Sequence, residues 1–122
     1  MKDYAVSKHF MRSEVECHHC HKVGPYAANM RKLLAKLEAL RVFVGKPIHL
    51  TCAYRCPIHN AKVGGIPYSL HIRGMAADIF VSGMPVNDLA RAADTVGFGG
   101  IGRYIHDQFV HVDIGPRSRW TK

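Results

Sequence analysis

From Pro25 to Val44 the chain places Met30, Leu33, Leu34, Leu37, Leu40 and Val44 at three- and four-residue intervals. That period belongs to a helix with a single apolar stripe, and such a stripe has to be buried against another element. Pro25 suits the first turn, where a missing N–H is harmless, and Gly45-Lys46-Pro47 stops the helix. The rest of the chain must supply the surface that covers this stripe.

Short β-prone segments do so. Ile48 to Tyr54 alternates and reads as a strand, Ala76 to Val81 as a second, and Ile101 to Tyr104 and Phe109 to Ile114 as two more. Val86 to Val96 reads as a short helix that ends at Gly97, with Asn87 or Ser82 as its cap. Ser7 to Val15 reads as a lead-in with Ser13 as a helix cap, and the stretch carrying Pro57, Asn60, Gly64, Gly65 and Pro67 as a loop. This order predicts an α+β fold, a small central antiparallel sheet flanked by helices. The 122 residues fit one domain spanning 1–122.

Apolar residues make up 48% and charged residues 21%, which predicts a packed globular chain rather than a disordered tail. No apolar run approaches the roughly 20 residues of a membrane-spanning helix. Met1 to His9 lacks the apolar core of a secretory signal, so synthesis in the cytoplasm is expected. The net charge of +8 suggests an anionic partner, for which nucleic acid, wall polymers and lipid headgroups are physically equivalent. The basic residues are spread along the chain and form no block.

Two segments carry the chemistry, Ser69 to Asp78 and Phe109 to Asp113. A catalytic zinc takes three protein ligands from imidazole and carboxylate and leaves a fourth position open. His71, Asp78 and His111 supply that set if strands bring the segments together. Asp78 lies on a predicted strand, and His111 on another whose Val110 and Val112 point to the opposite face. On spacing alone, ordinary surface or core histidines with carboxylates in caps or ion pairs explain the same residues.

Ser69-x-His71-x-x-Gly74-x-Ala76-x-Asp78 followed by His111 resembles the metal signature of the zinc D-alanyl-D-alanine carboxypeptidase family. That group includes VanX- and VanY-like enzymes, phage endolysins and murein endopeptidases, with the hedgehog signalling domain as a relative. The resemblance covers nearly the whole chain. It extends to Lys8-His9-Phe10 and Glu14, to Ala53-Tyr54-Arg55-Cys56-Pro57-x-His59-Asn60 with Val63-Gly64-Gly65, and to Gly97-Phe98-Gly99-Gly100-Ile101-Gly102-x-Tyr104 with Trp120. It implies His71, Asp78 and His111 as zinc ligands, with Arg55 binding a substrate carbonyl or carboxylate and steadying the tetrahedral intermediate. It implies Ser69, His59 and Asn60 in the substrate site, Ser69 also orienting the first ligand, and Gly74 where the backbone needs close approach or positive φ.

Many relatives carry a carboxylate three residues before the last histidine ligand; here that place is Gln108, which takes no proton. The remaining candidates for the general base are Asp113, favoured because it shares a strand face with His111, and Asp107. The resemblance implies zinc-dependent hydrolysis of peptide bonds in bacterial peptidoglycan, as a carboxypeptidase or murein endopeptidase of the endolysin kind, acting on the wall after release. Gln108 motivates the alternative of a non-catalytic zinc-binding module of the same fold.

Cys17-x2-Cys20 and Cys52-x3-Cys56 form two close pairs. They fit a second, structural zinc with His18, His19 or His21 as substitute ligands, or disulfides, or free thiols. A zinc-ribbon-like nucleic-acid binder would use these cysteines and the charge but leaves the His71 and His111 segments unexplained, so no nucleic-acid partner is expected.

Overall fold

The computed structural model describes residues 3–122; Met1 and Lys2, which open the segment read for a secretory signal, lie outside the described residues. The elements are α1 (Arg12–Val15), α2 (Ala27–Val44), β1 (His49–Cys52), α3 (Pro57–Lys62), β2 (Ala76–Phe80), α4 (Val86–Val96), β3 (Gly100–Tyr104), β4 (Phe109–Asp113) and β5 (Ser118–Thr121).

The apolar period sets α2. Met30, Leu33, Leu34, Leu37 and Leu40 are all buried, each stabilising the fold by ~1.5–3 kcal/mol relative to exposure. Tyr26 caps the helix, so Pro25 stands just outside the first turn. Gly45 closes α2 in the left-handed region at φ 68°, its N–H donating to Arg41 O at 3.1 Å. Helix α4 buries Val86, Leu89, Ala90, Ala92 and Ala93. Its N-cap is Pro85, which corrects the expectation of Asn87 or Ser82; Asn87 lies inside the helix. Ser13 likewise falls inside α1, where Met11 takes the cap position and its N–H donates to the Glu14 carboxylate at 2.9 Å. The segment from Pro57, read as a loop, winds into α3 with Pro57 at its start.

The sheet runs β1-β2-β4-β3-β5. The first four strands pair antiparallel, as expected, whereas β5 adds to β3 in parallel at the edge. One face of the sheet presents Ile79, Ile101, Val110 and Val112 to the core that α2 and α4 complete. The opposite face carries polar residues in register. Among the described residues no helix is long and apolar enough to cross a membrane.

Candidate metal centre

Strand register gathers the site. Asp78 on β2 pairs directly with His111 on β4, His111 pairs with Gly102 on β3, and Gly102 with Trp120 on β5. Cys52 on β1 stands opposite Asp78 on the other side. One row across all five strands thus holds Cys52, Asp78, His111, Gly102 and Trp120. Directly paired side chains on one face are near neighbours, so the sheet itself fixes the Asp78–His111 contact: His111 Nδ1 lies 3.2 Å from Asp78 Oδ1.

His71 reaches the same oxygen from the turns ahead of β2, its Nε2 3.4 Å from Asp78 Oδ1. Those turns are braced at Ser69, whose buried hydroxyl accepts the His71 N–H at 3.3 Å. Gly74 follows at φ 67°, its N–H donating to His71 O at 3.3 Å, a left-handed position that favours glycine.

Each imidazole is held by its other nitrogen. His71 Nδ1 faces Ala53 O at 2.8 Å, which leaves Nε2 for Asp78 and any cation beside it. His111 Nε2 faces Asp113 Oδ2 at 2.8 Å, which leaves Nδ1. Metal-binding histidines are characteristically tied in this way to a carbonyl or carboxylate.

The donor types suit zinc, and so do the two spacings that meet at Asp78 Oδ1. Tetrahedral zinc with bonds of about 2.0 Å separates its ligand atoms by about 3.3 Å; the two spacings around Asp78 Oδ1 are 3.4 and 3.2 Å. The electrostatics point the same way. Burial works against charge on His71, yet its hydrogen bonds with Asp78 and Cys52 raise its pKa. His111 is raised in the same sense, burial being outweighed by Asp113 and Asp78. Burial likewise opposes charge on Asp78, but the His111 and His71 hydrogen bonds hold it well below the usual carboxylate range. The shifts arise from the mutual contacts of the two imidazoles with the carboxylates and mark one electrostatically coupled cluster.

Asp113, expected as the general base, lies beside His111. Its period-two position does face the His111 side, but the carboxylate is buried and engaged on both oxygens. Oδ2 meets His111, and Oδ1 accepts the N–H groups of Gly100 and Gly115, each at 2.9 Å. Gly100 has to be glycine here, since a Cβ would fall 2.0 Å from Asp113 Oδ2. Burial raises the Asp113 pKa, but these hydrogen bonds, that of His111 foremost, bring it below the ordinary value. Asp107 is exposed in the turn before β4. Gln108 sits beside it at φ 61° and its amide donates to Ile105 O at 2.6 Å, so its side chain serves the turn.

Arg55 is half-buried next to the His71 turn. Its N–H donates to His71 O at 3.2 Å and its Nη2 to Ser69 Oγ at 3.3 Å, while Nε is buried without a partner among the described residues. Asn60, expected at the substrate, is instead turned inward: it is 2% exposed and its amide donates to Ile66 O at 2.8 Å, bracing the loop. His59 is half-buried on α3.

Cys52 and Trp120 also border the site. Cys52 lies 3.7 Å from His71 Nδ1, and Cys52, His71 and Asp78 offer ligand atoms within 4.8 Å of one another. Trp120 stands beside His111, with ring centroids 5.1 Å apart. The four cysteines therefore do not form one cluster: Cys52 belongs to the histidine site, and Cys17, Cys20 and Cys56 gather elsewhere.

Comparison with known proteins gives this arrangement a family. The chain is similar to the peptidoglycan L,D-endopeptidase MepK of Escherichia coli (strain K12), 31% identical over 112 residues that cover 82% of this chain and 62% of the relative. It is 35% identical over 98 residues to the zinc D-Ala-D-Ala carboxypeptidase of Streptomyces albus G, covering 77% of this chain and 38% of that one. The probable peptidoglycan L,D-endopeptidase MepK of Haemophilus influenzae is 35% identical over 78 residues, covering 60% and 42% respectively. The chain thus spans less than two thirds of the length of these relatives. The Peptidase M15 family model matches residues 8–113, a span that takes in β1 to β4, His71, Asp78 and His111, and the chain belongs to that family.

Proposed function

We propose that the chain is a zinc peptidase that cleaves peptide bonds of bacterial peptidoglycan, with His71, Asp78 and His111 as the ligands. The carrying observation is Asp78 Oδ1 lying between His71 Nε2 and His111 Nδ1 at 3.4 and 3.2 Å, with both outer ring nitrogens engaged. The names of the relatives support the substrate. The net charge of +8 suits an anionic wall.

Zinc, when bound, supplies Lewis acidity that activates water and polarises a carbonyl. The chain's residues supply the rest. Arg55 is half-buried beside the His71 turn, and its guanidinium is suited to a substrate oxygen as negative charge develops there. Ser69 holds both Arg55 and the His71 backbone through one hydroxyl, which couples substrate binding to the ligand turn. Asp113 orients the His111 ring through Oδ2 while Oδ1 is anchored by the Gly100 and Gly115 N–H groups. Asp113 and Asp107 are the two carboxylates proposed for the acid–base role, Asp113 in contact with His111 and Asp107 exposed in the turn before β4.

Digestion of purified peptidoglycan, with and without a chelator and read by mass spectrometry, tests the proposal. New peptide ends that vanish on chelation and return with zinc support it and identify the bond. The engagement of Asp113 and Gln108 favours a second reading, a zinc-binding module that recognises wall peptide without cutting it. Zinc-loaded protein that co-sediments with peptidoglycan and releases nothing would establish that reading instead.

A further inference from the structure

We propose that Cys17, Cys20, Cys56 and His59 form a second, structural zinc site of the three-cysteine, one-histidine kind, separate from the histidine centre and without Cys52. The three sulfurs lie within 4.8 Å of one another. Tetrahedral zinc thiolates with Zn–S bonds of about 2.3 Å have sulfur–sulfur edges of about 3.8 Å, so the cluster is close to the required size. Cys17 and Cys56 are buried and Cys20 is half-buried.

The backbone around them is shaped to stabilise thiolates. The segment from Cys17 to Lys22 closes on itself, with Cys17 N–H donating to Lys22 O and His21 N–H to Cys17 O, both at 2.8 Å. The turn is completed by His21 at φ 58°. Within it, His19 N–H points at Cys17 Sγ at 3.4 Å, and Cys56 N–H reaches the same sulfur at 3.4 Å. His59 N–H points at Cys56 Sγ at 3.4 Å. Three amides thus aim at two sulfurs, an arrangement that favours the charged form a metal needs.

The fourth ligand follows from spacing and neighbourhood. Cys17-x2-Cys20 is matched by Cys56-x2-His59, so each half of the site contributes two donors from one tight turn. The His59 ring stacks on that of His19 with centroids 6.1 Å apart, which places it over the loop carrying Cys17 and Cys20. His18 and His19 are exposed, and the His21 ring is engaged by Glu16 Oε2 at 3.1 Å. His59 is half-buried, its backbone N–H already lies against Cys56 Sγ, and ligation requires its ring to turn from His19 toward the sulfurs. Cys52 is excluded because it sits on β1 beside His71.

Such a site fastens the Cys17 loop to the start of α3, next to Arg55. A metal held by the folded chain and not by the unfolded one adds to stability by mass action. It also removes His59 from the substrate-binding set.

The test is metal analysis of protein purified under reducing conditions, followed by cobalt substitution. The expected count is two zinc ions per chain, falling to one in Cys56→Ser and to one in His71→Ala. Cobalt-loaded wild type and His71→Ala should both show strong thiolate-to-metal charge-transfer absorption, which Cys56→Ser loses. His59→Ala should shift the cobalt spectrum and His59→Cys restore a tetrahedral one. The wild-type spectrum decides even if a cysteine variant fails to fold. A cobalt-loaded wild type without charge-transfer absorption, or a Cys17–Cys20 or Cys20–Cys56 disulfide in the reduced preparation, would overturn the site. An unchanged spectrum in His59→Ala would overturn its ligand set. Because the thiolate signal is read in His71→Ala, the result stands apart from whether the chain cuts peptidoglycan.

Discussion

His111 Nε2 and Asp113 Oδ2 are 2.8 Å apart on the same face of β4, two residues from each other. The contact fixes the ring so that Nδ1 points at Asp78, and Asp113 is fixed in turn by the N–H groups of Gly100 and Gly115. Replacing Asp113 by Asn is therefore expected to weaken zinc binding at the histidine site by ~10–100-fold. Competition with a chromophoric chelator measures this. Retained affinity with only kcat reduced would make Asp113 the base.

Gly102 lies under Trp120. A Cβ at this position would come 2.3 Å from Trp120 Cε2, in the row that also holds His111. Gly102→Ala should displace the indole and destabilise the fold by ~1–3 kcal/mol. Trp120 is the chain's single tryptophan, so its emission reports the movement directly, beside the denaturation midpoint. An unchanged emission spectrum would contradict this packing.

Leu37 is fully buried in the α2 stripe. Truncation in Leu37→Ala is expected to cost ~2–5 kcal/mol. Urea denaturation measures it, and a loss below ~1 kcal/mol would mean the stripe does not anchor the core.

The lead-in segment is held by Glu38 on α2, which accepts from Ser7 Oγ and His9 N at 2.6 Å each and meets His9 Nδ1 at 2.5 Å. Burial raises the Glu38 pKa, but the Ser7 and His9 hydrogen bonds outweigh it and leave the carboxyl below its usual 4.5. A carboxyl depressed by folding contributes fully above the unfolded value and loses that contribution as pH falls through the folded one. The stability gap between wild type and Glu38→Gln should thus be ~1–2 kcal/mol at neutral pH and shrink in acid below about 4.5. Denaturant midpoints across pH check it; a constant gap would speak against the ionised contact.

What the sequence alone reveals depends on whether the signal is local. Helices α2 and α4 are readable because their apolar periods run over several turns, and β1 to β4 because their residues are β-prone and bounded by glycine and proline. Helix α3 is only six residues long and opens on Pro57, too short for a period to emerge. Strand β5 spans four residues, Ser118 to Thr121, and exists through its parallel pairing with β3, a non-local fact. The same division runs through the site. His71, Asp78 and His111 stand in a recognisable order, and the period of two places Asp113 on the His111 side. The engagement of Asp113 depends on Gly100, on another strand, and no local pattern carries it. Cys52 and Cys56, read as a pair four residues apart, are divided because β1 ends at Cys52 and α3 begins after Cys56.

The proposed catalytic metal hangs on Asp78 between the two histidines. Measuring zinc content and peptidoglycan cleavage in the same preparations of wild type and Asp78→Asn tests this most directly, with circular dichroism to verify the fold. The variant is expected to stay folded, to lose one zinc equivalent and to lose cleavage with it. A folded Asp78→Asn protein that keeps its full zinc content and cuts at the wild-type rate would contradict it.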